Sequence, residues 1–116
     1  MKKYLTFSLF LFLVSCIGCS KNYSIADVTK PEAITIKKDS SQGNVHRLKV
    51  VGKGSIEGTA NIALIVNGKP YRSESLTGDI NFLWDADWYL DSAYIEYTPV
   101  SVKRGTMVLK YNFDDI

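Results

Sequence analysis

From residue 32 onward, hydrophobic and polar positions alternate along most of the chain. Ile34 and Ile36 alternate with Thr35 and Lys37, Leu48 and Val50 with Arg47 and Lys49, and Met107, Leu109, Tyr111 and Phe113 with Val108, Lys110 and Asn112. A period of two puts each set on its own face, which predicts strands. Residues 60–66 are apolar on both parities except Asn61, the pattern of a strand covered on both faces. Asn67-Gly68 follows directly and supplies the positive φ angles of a type I′ turn, so the chain should return from Lys69, with Pro70 at an edge or a strand start. Ile80, Phe82 and Trp84 mark one face of a further strand, and 94–98 another. Gly52, Gly54 and Gly58 interrupt the run around Ile56 and predict bulges or a sharp bend. The polar run 38–44 reads as a loop.

About seven strands in 85 residues, with no helical period, predict one all-β domain over 32–116, an antiparallel β-sandwich with a small closed β-barrel as the alternative. The stretch Asp91-Ser92-Ala93-Tyr94-Ile95-Glu96-Tyr97, followed by 105–113, resembles the last two strands of immunoglobulin-like domains. Ile95 stands at that family's tyrosine position, with Tyr94 one residue early. The resemblance implies an immunoglobulin-like architecture and carries no function.

The N-terminus follows other rules. Lys2 and Lys3 precede about ten mostly apolar residues from Leu5 to Val14, far short of the ~20 needed to span a bilayer, so the segment reads as a secretory signal. Both cysteines lie at its end. Leu13-Val14-Ser15-Cys16 resembles the lipobox of bacterial lipoproteins, and Cys16-Ile17-Gly18-Cys19 is a poorer version of the same motif. That resemblance implies a signal at 1–15 (or 1–18), acylation of Cys16 (or Cys19), and attachment to a membrane through lipid in the bacterial cell envelope. No aspartate follows either cysteine, which implies the inner leaflet of an outer membrane where the cell has one. A Cys-x-x-Cys thiol or metal pair would need a folded scaffold around it, and no other cysteine exists to supply further ligands. Residues 16–31, polar from Ser20 onward apart from scattered Ile25 and Val28 and closed by Pro31, read as a tether.

Charge alters the picture in two ways. Without Lys2 and Lys3, twelve basic side chains face twelve acidic ones, too even a balance for a binder of nucleic-acid phosphates. The bases concentrate before Arg72 and the acids after it, as expected if strands of the two halves pair and their charges meet across the sheet.

The stretch richest in chemistry is Trp84-Asp85-Ala86-Asp87-Trp88-Tyr89-Leu90-Asp91, read as an acidic loop beyond the strand that carries Trp84. Trp84 belongs with the core. Trp88, beyond two aspartates, is expected outside it, where Trp88 and Tyr89 with Asp85 and Asp87 would form a platform for a ligand such as a sugar. Asp85, Asp87, Asp91 and Glu96 supply hard oxygen donors for Ca²⁺, although Tyr89 and Leu90 stand where an EF-hand loop needs an oxygen donor and its turn glycine. Gly52-Lys53-Gly54-Ser55 lacks the spacing of a phosphate loop, and His46, the single histidine, has no nucleophile pattern to serve. The expectation is a lipid-anchored envelope binding module without enzymatic activity and needing no cofactor. Its partner would be an envelope glycan or protein. The alternative is a structural or immunity-type lipoprotein that docks on another protein by a sheet edge.

Overall fold

A computed structural model describes residues 21–116; the expected signal segment and the expected acylation sites Cys16 and Cys19 lie outside the described residues. The chain forms five antiparallel strands: β1 (Lys21–Ser24), β2 (Glu32–Lys37), β3 (Val45–Val66), β4 (Lys69–Asp87) and β5 (Ser92–Asp115). They make one open sheet in the order β1-β5-β3-β4, with β2 also paired to β5. β5 is thus the central strand. β3 lies along one side of it, and β1 and β2 follow one another along the other.

The sheet is folded double. A flat strand of 24 residues would run about 80 Å, yet the longest dimension of the molecule is 53 Å. The crease runs through the row Gly78–Ile56–Gly105, where Ile56 is paired with a glycine on each side. Ladder register slips beside this row, between Ile56 and Thr59 against β4 and between Glu57 and Gly58 against β5, as bulges require. At the crease the strands approach so closely that a β-carbon on Gly58 (φ 131°) would lie 1.8 Å from the Ser101 carbonyl oxygen. Folding then brings together residues far apart on one strand. The Trp84 indole donates to Glu74 Oε2 at 3.3 Å, and the Tyr71 and Trp88 rings sit 6.4 Å apart.

Residues 38–44 clasp the two halves. They join the end of β2, beside Ser92, to the start of β3, beside Asp115. The Lys38 amide donates to the Asp91 carbonyl, while Gln42 Nε2 donates to the Phe113 carbonyl at 2.6 Å and the Gly43 amide to Asp115 Oδ2 at 2.7 Å. The last of these bonds holds the Asp115 carboxyl below its ordinary value.

The inner faces form the core: Ile34 and Ile36 of β2, Leu48, Val50, Ile62 and Leu64 of β3, Ile80 and Trp84 of β4, and Ile95, Tyr97, Met107 and Leu109 of β5. The alternations expected at 34–37, 47–50 and 107–113 are therefore real strands, and Asn67-Gly68 is the expected hairpin turn, with φ of 53° and 77°.

Four expectations need correction. Seven expected strands become four, because three pairs of them run on through the crease without a turn, β1 adds an unexpected fifth, and the result is one sheet rather than the two of an immunoglobulin-like sandwich. The barrel alternative also fails, since β4 and the β1/β2 side remain separate edges. Residues 21–31, expected to belong to a tether, are part of the folded body. Residues 21–24 pair with β5, Ile25 and Val28 are buried, and the Tyr97 hydroxyl donates to the Val28 carbonyl at 2.7 Å. Finally, Trp88 is core. The parity of Ile80, Phe82 and Trp84 continues through Ala86 to Trp88, which is 6% exposed, and the two intervening aspartates simply face outward.

Two stability predictions follow from the crease and from the position of Trp88. Trp88→Ala should cost about 3–5 kcal/mol in urea unfolding, comparable to Trp84→Ala, because each empties a large aromatic site. A loss for Trp88→Ala below a third of that for Trp84→Ala would contradict its placement. Gly58→Ala should cost about 2 kcal/mol or more, since it forces both a disfavoured φ and a clash with backbone. A near-neutral Gly58→Ala would mean that the crease is not held by this close approach.

Candidate functional site

The two ends of β4 meet at one end of the folded sheet. Tyr71 lies just after the β3–β4 hairpin, and Trp88 just after β4 ends at Asp87. The Trp88 amide donates to the His46 carbonyl at 3.2 Å, and its indole donates to the Ser92 carbonyl at 3.0 Å. These bonds fix both ends of the short link 88–91. The link is too tight to bury all its side chains, so Tyr89 and Leu90 project into solvent at 73% and 61% exposure.

The result is an open hollow of about 340 Å³ lined by Val66, Tyr71, Asp87, Trp88, Tyr89 and Leu90. Its surface is largely apolar and aromatic. The Arg72 guanidinium lies 4.8 Å from the centre of the Tyr71 ring and places a cation at the rim. Asp87 places a carboxylate on the same hollow, held 3.9 Å from Arg47. Exposed ring faces with a few charged groups around them suit a ligand that has both apolar faces and hydroxyls.

Of the sequence-predicted ligand residues, Asp87, Trp88 and Tyr89 meet here. Trp88 serves as the buried floor rather than as a projecting ring. Asp85 does not join them. It sits two residues back along β4 and receives a hydrogen bond from Arg47 Nη1 at 2.7 Å, an ion pair that holds Arg47 protonated above its ordinary pKa.

The four metal candidates are not brought together. Asp85 and Asp87 share Arg47, Asp91 pairs with Lys38 at 3.4 Å, and Glu96 lies on β5, where its bond to the Tyr94 hydroxyl raises that phenol's pKa. Among the described residues no group of three or more His, Cys, Asp or Glu side chains is placed to hold a metal ion. The physical reason is the extended backbone: along a strand, Asp85 and Asp87 stand apart on one face, whereas a chelating loop would curl them inward.

Part of the expected division of charge is met: Lys38 with Asp91 and Arg47 with Asp85 and Asp87 each pair an early base with a late acid, whereas Glu57 with Arg104 reverses the order and Lys21 with Asp39 stays within the first half.

Val66, Tyr71, Arg72 and Leu90 escaped the sequence reading. Tyr71 and Arg72 follow a recognisable turn, but nothing local places them against a tryptophan seventeen positions away in Tyr71's case. Leu90 carried a weak signal, as a large apolar residue in a short polar link.

No protein-family model matches the chain, and no curated protein matches it in sequence. Among solved structures it is similar to part of dimeric latent PorU from Porphyromonas gingivalis, at 6% identity and a TM-score of 0.42 over 82% of this chain. It is also similar to part of the infectious bursal disease virus VP2 subviral particle, at 15% identity and a TM-score of 0.29 over 79% of this chain. The chain spans only 13% of the PorU chain and 32% of the viral one, and the likeness at these scores extends to β-rich fragments and no further.

Proposed function

We propose that this is a lipid-anchored envelope protein that acts by binding, without catalysis, and that its ligand is a glycan held in the Tyr71–Tyr89 hollow. The observation that carries this reading is the hollow itself. It presents two tyrosines and a leucine to solvent on a floor fixed by two hydrogen bonds from Trp88. Leaving large apolar groups in water costs about 25 cal/mol per Å², and a rigid aromatic surface of this kind recovers that cost when a sugar face stacks on it. Asp87 and Arg72 stand where they can take hydroxyl groups. The lipobox resemblance of Leu13-Val14-Ser15-Cys16 supports the anchor.

A second reading has its own observation. Among the described residues the outer edge of β4, Lys69–Asp87, has no neighbouring strand, so its backbone groups are open to strand addition by a protein partner. In that case the molecule docks on another envelope protein, as an immunity-type or structural lipoprotein would.

The two readings separate by titration. Muropeptides and lipopolysaccharide core oligosaccharides should change the fluorescence of Trp88 and raise the melting temperature, as a ligand of the native state must. Tyr71→Ser and Tyr89→Ser should abolish the response while leaving the unliganded melting temperature within about 2 °C, because both side chains are substantially exposed. If no glycan moves either signal and solubilised envelopes yield a protein that binds the β4 edge, the glycan reading is wrong. The anchor is tested separately. Cys16→Ser should end metabolic labelling with palmitate, and labelling that survives it but is lost with Cys19→Ser would move the modified residue to Cys19.

A further inference from the structure

The outer face of the half-sheet opposite the core carries an unusual grouping. Register places Leu83, Val51, Lys110 and Asn22 in one row across β4, β3, β5 and β1. Lys49 and Lys53 stand two residues to either side of Val51 on the same face. Three lysines thus ring an apolar centre, with Leu83 60% exposed, around a shallow depression of about 400 Å³. Among the described residues none of the three lysines makes an ion pair. The acids on this face are either engaged or distant. Arg47 takes Asp85 and Asp87, Asn112 takes Asp114, and Asp79 lies toward the crease. A strand face whose only purpose was to be solvated would gain from pairing Lys49 with the Asp85 opposite it, yet Arg47 holds that carboxylate.

Chain length supplies a second, independent constraint. β1 begins at Lys21, and its next residue, Asn22, is the cross-strand neighbour of Lys110. From Cys16 to Lys21 the chain reaches at most about 18 Å when fully extended, and from Cys19 about 7 Å. A bilayer that holds an acyl chain on either cysteine is therefore confined to the neighbourhood of this lysine group. A free tether of sixteen residues would have imposed no such confinement. Lysine heads surrounding an exposed leucine and valine match the chemistry of that surface, with ammonium groups at the phosphates and the apolar centre against the headgroup boundary.

We propose that the outer face formed by Lys49, Val51, Lys53, Leu83 and Lys110 lies against the anionic phospholipid surface of the membrane that holds the lipid anchor. The proposal rests on the lipoprotein reading above, and it fixes the orientation of the molecule. The face shares no residue with the Tyr71–Tyr89 hollow, so a seated domain keeps its ligand surface open.

The test uses the full acylated chain reconstituted into phosphatidylcholine vesicles with and without phosphatidylglycerol. A membrane-impermeant amine reagent is applied, and modification is read at each lysine by mass spectrometry. Labelling of Lys49, Lys53 and Lys110 should fall about fivefold or more in the anionic vesicles, since each lysine at such a surface gains about that factor in binding. Lys69 and Lys103 should label equally in both. The protection should vanish in 1 M salt, where screening shortens to about 3 Å. In the K49Q/K53Q/K110Q variant, Leu83 should lose its protection from a water-soluble photo-crosslinking probe in the same vesicles. Equal labelling of the three lysines in both vesicle types, with the acyl mass present on the N-terminal peptide, overturns the proposal while leaving the anchor intact. Protection that requires added envelope proteins assigns the face to a protein partner and likewise overturns it. An N-terminal peptide without acyl mass removes the anchor and this orientation together.

Discussion

Everything in this molecule depends on one crease. Three long strands cross it, and at the crossing row Ile56 is flanked by Gly78, whose φ of 63° turns the chain, and by Gly105, where a β-carbon would lie 2.3 Å from the Ser55 carbonyl oxygen. A flat sheet of these strands would leave an apolar face of Ile, Val, Leu and Trp in water. Folding it double buries that face against itself, and about 25 cal/mol for each Å² removed from water drives the closure. The glycines make the geometry available at an entropic cost, since Gly loses more freedom on folding than any other residue. Ile56 turns the cost to use: it is 3% exposed and fills the inside of the fold where the two halves converge.

Closure needs a counterpart at the far end, and residues 38–44 provide it. Because Lys38 bonds to the 88–91 link while Gln42 and Gly43 bond to the end of β5, the loop ties the two halves at the side away from the crease. Tyr97 and Val28 close a third side, where the N-terminal run passes from β1 to β2. The hollow at Tyr71 and Tyr89 is a by-product of this arrangement. When a sheet folds double, the ends of its longest strands are brought face to face, and whatever their terminal side chains cannot bury becomes a surface in common.

What was legible in the sequence follows the reach of each signal. Period-two alternation is local, so the core positions of 34–36, 48–50 and 107–113 and the Asn67-Gly68 turn could be read directly. The glycines around Ile56 signalled a bend but not whether the chain turned or continued. Continuity depends on partners fifty residues away, which is why six of the expected strands are three. Trp88 was misplaced for a different reason. Two aspartates outweighed a parity that ran unbroken from Ile80, although carboxylates on alternate positions are compatible with a half-buried strand and say only which face is wet. The pairing of Lys38 and Arg47 with late acids was visible as a charge asymmetry, because antiparallel ladders convert distance in sequence into opposition in space, while the Glu57–Arg104 pair runs against it.

The N-terminal strand carries the argument one step further. Residues 21–24 look like polar linker because their alternation is too short to register, and they become a strand only because β5 is long enough to hold both β1 and β2 on one side. That single pairing changes the mechanics of the molecule. A flexible segment of sixteen residues would separate the folded body from whatever holds its N-terminus and leave its orientation random. A segment that joins the sheet at Lys21 would transmit position instead: under the proposed anchor, the place where the chain enters the fold, beside Tyr111 and Lys110, would be the side that faces the membrane. Orientation would then be set by backbone hydrogen bonds in the β1–β5 ladder, the same interactions that complete the sheet.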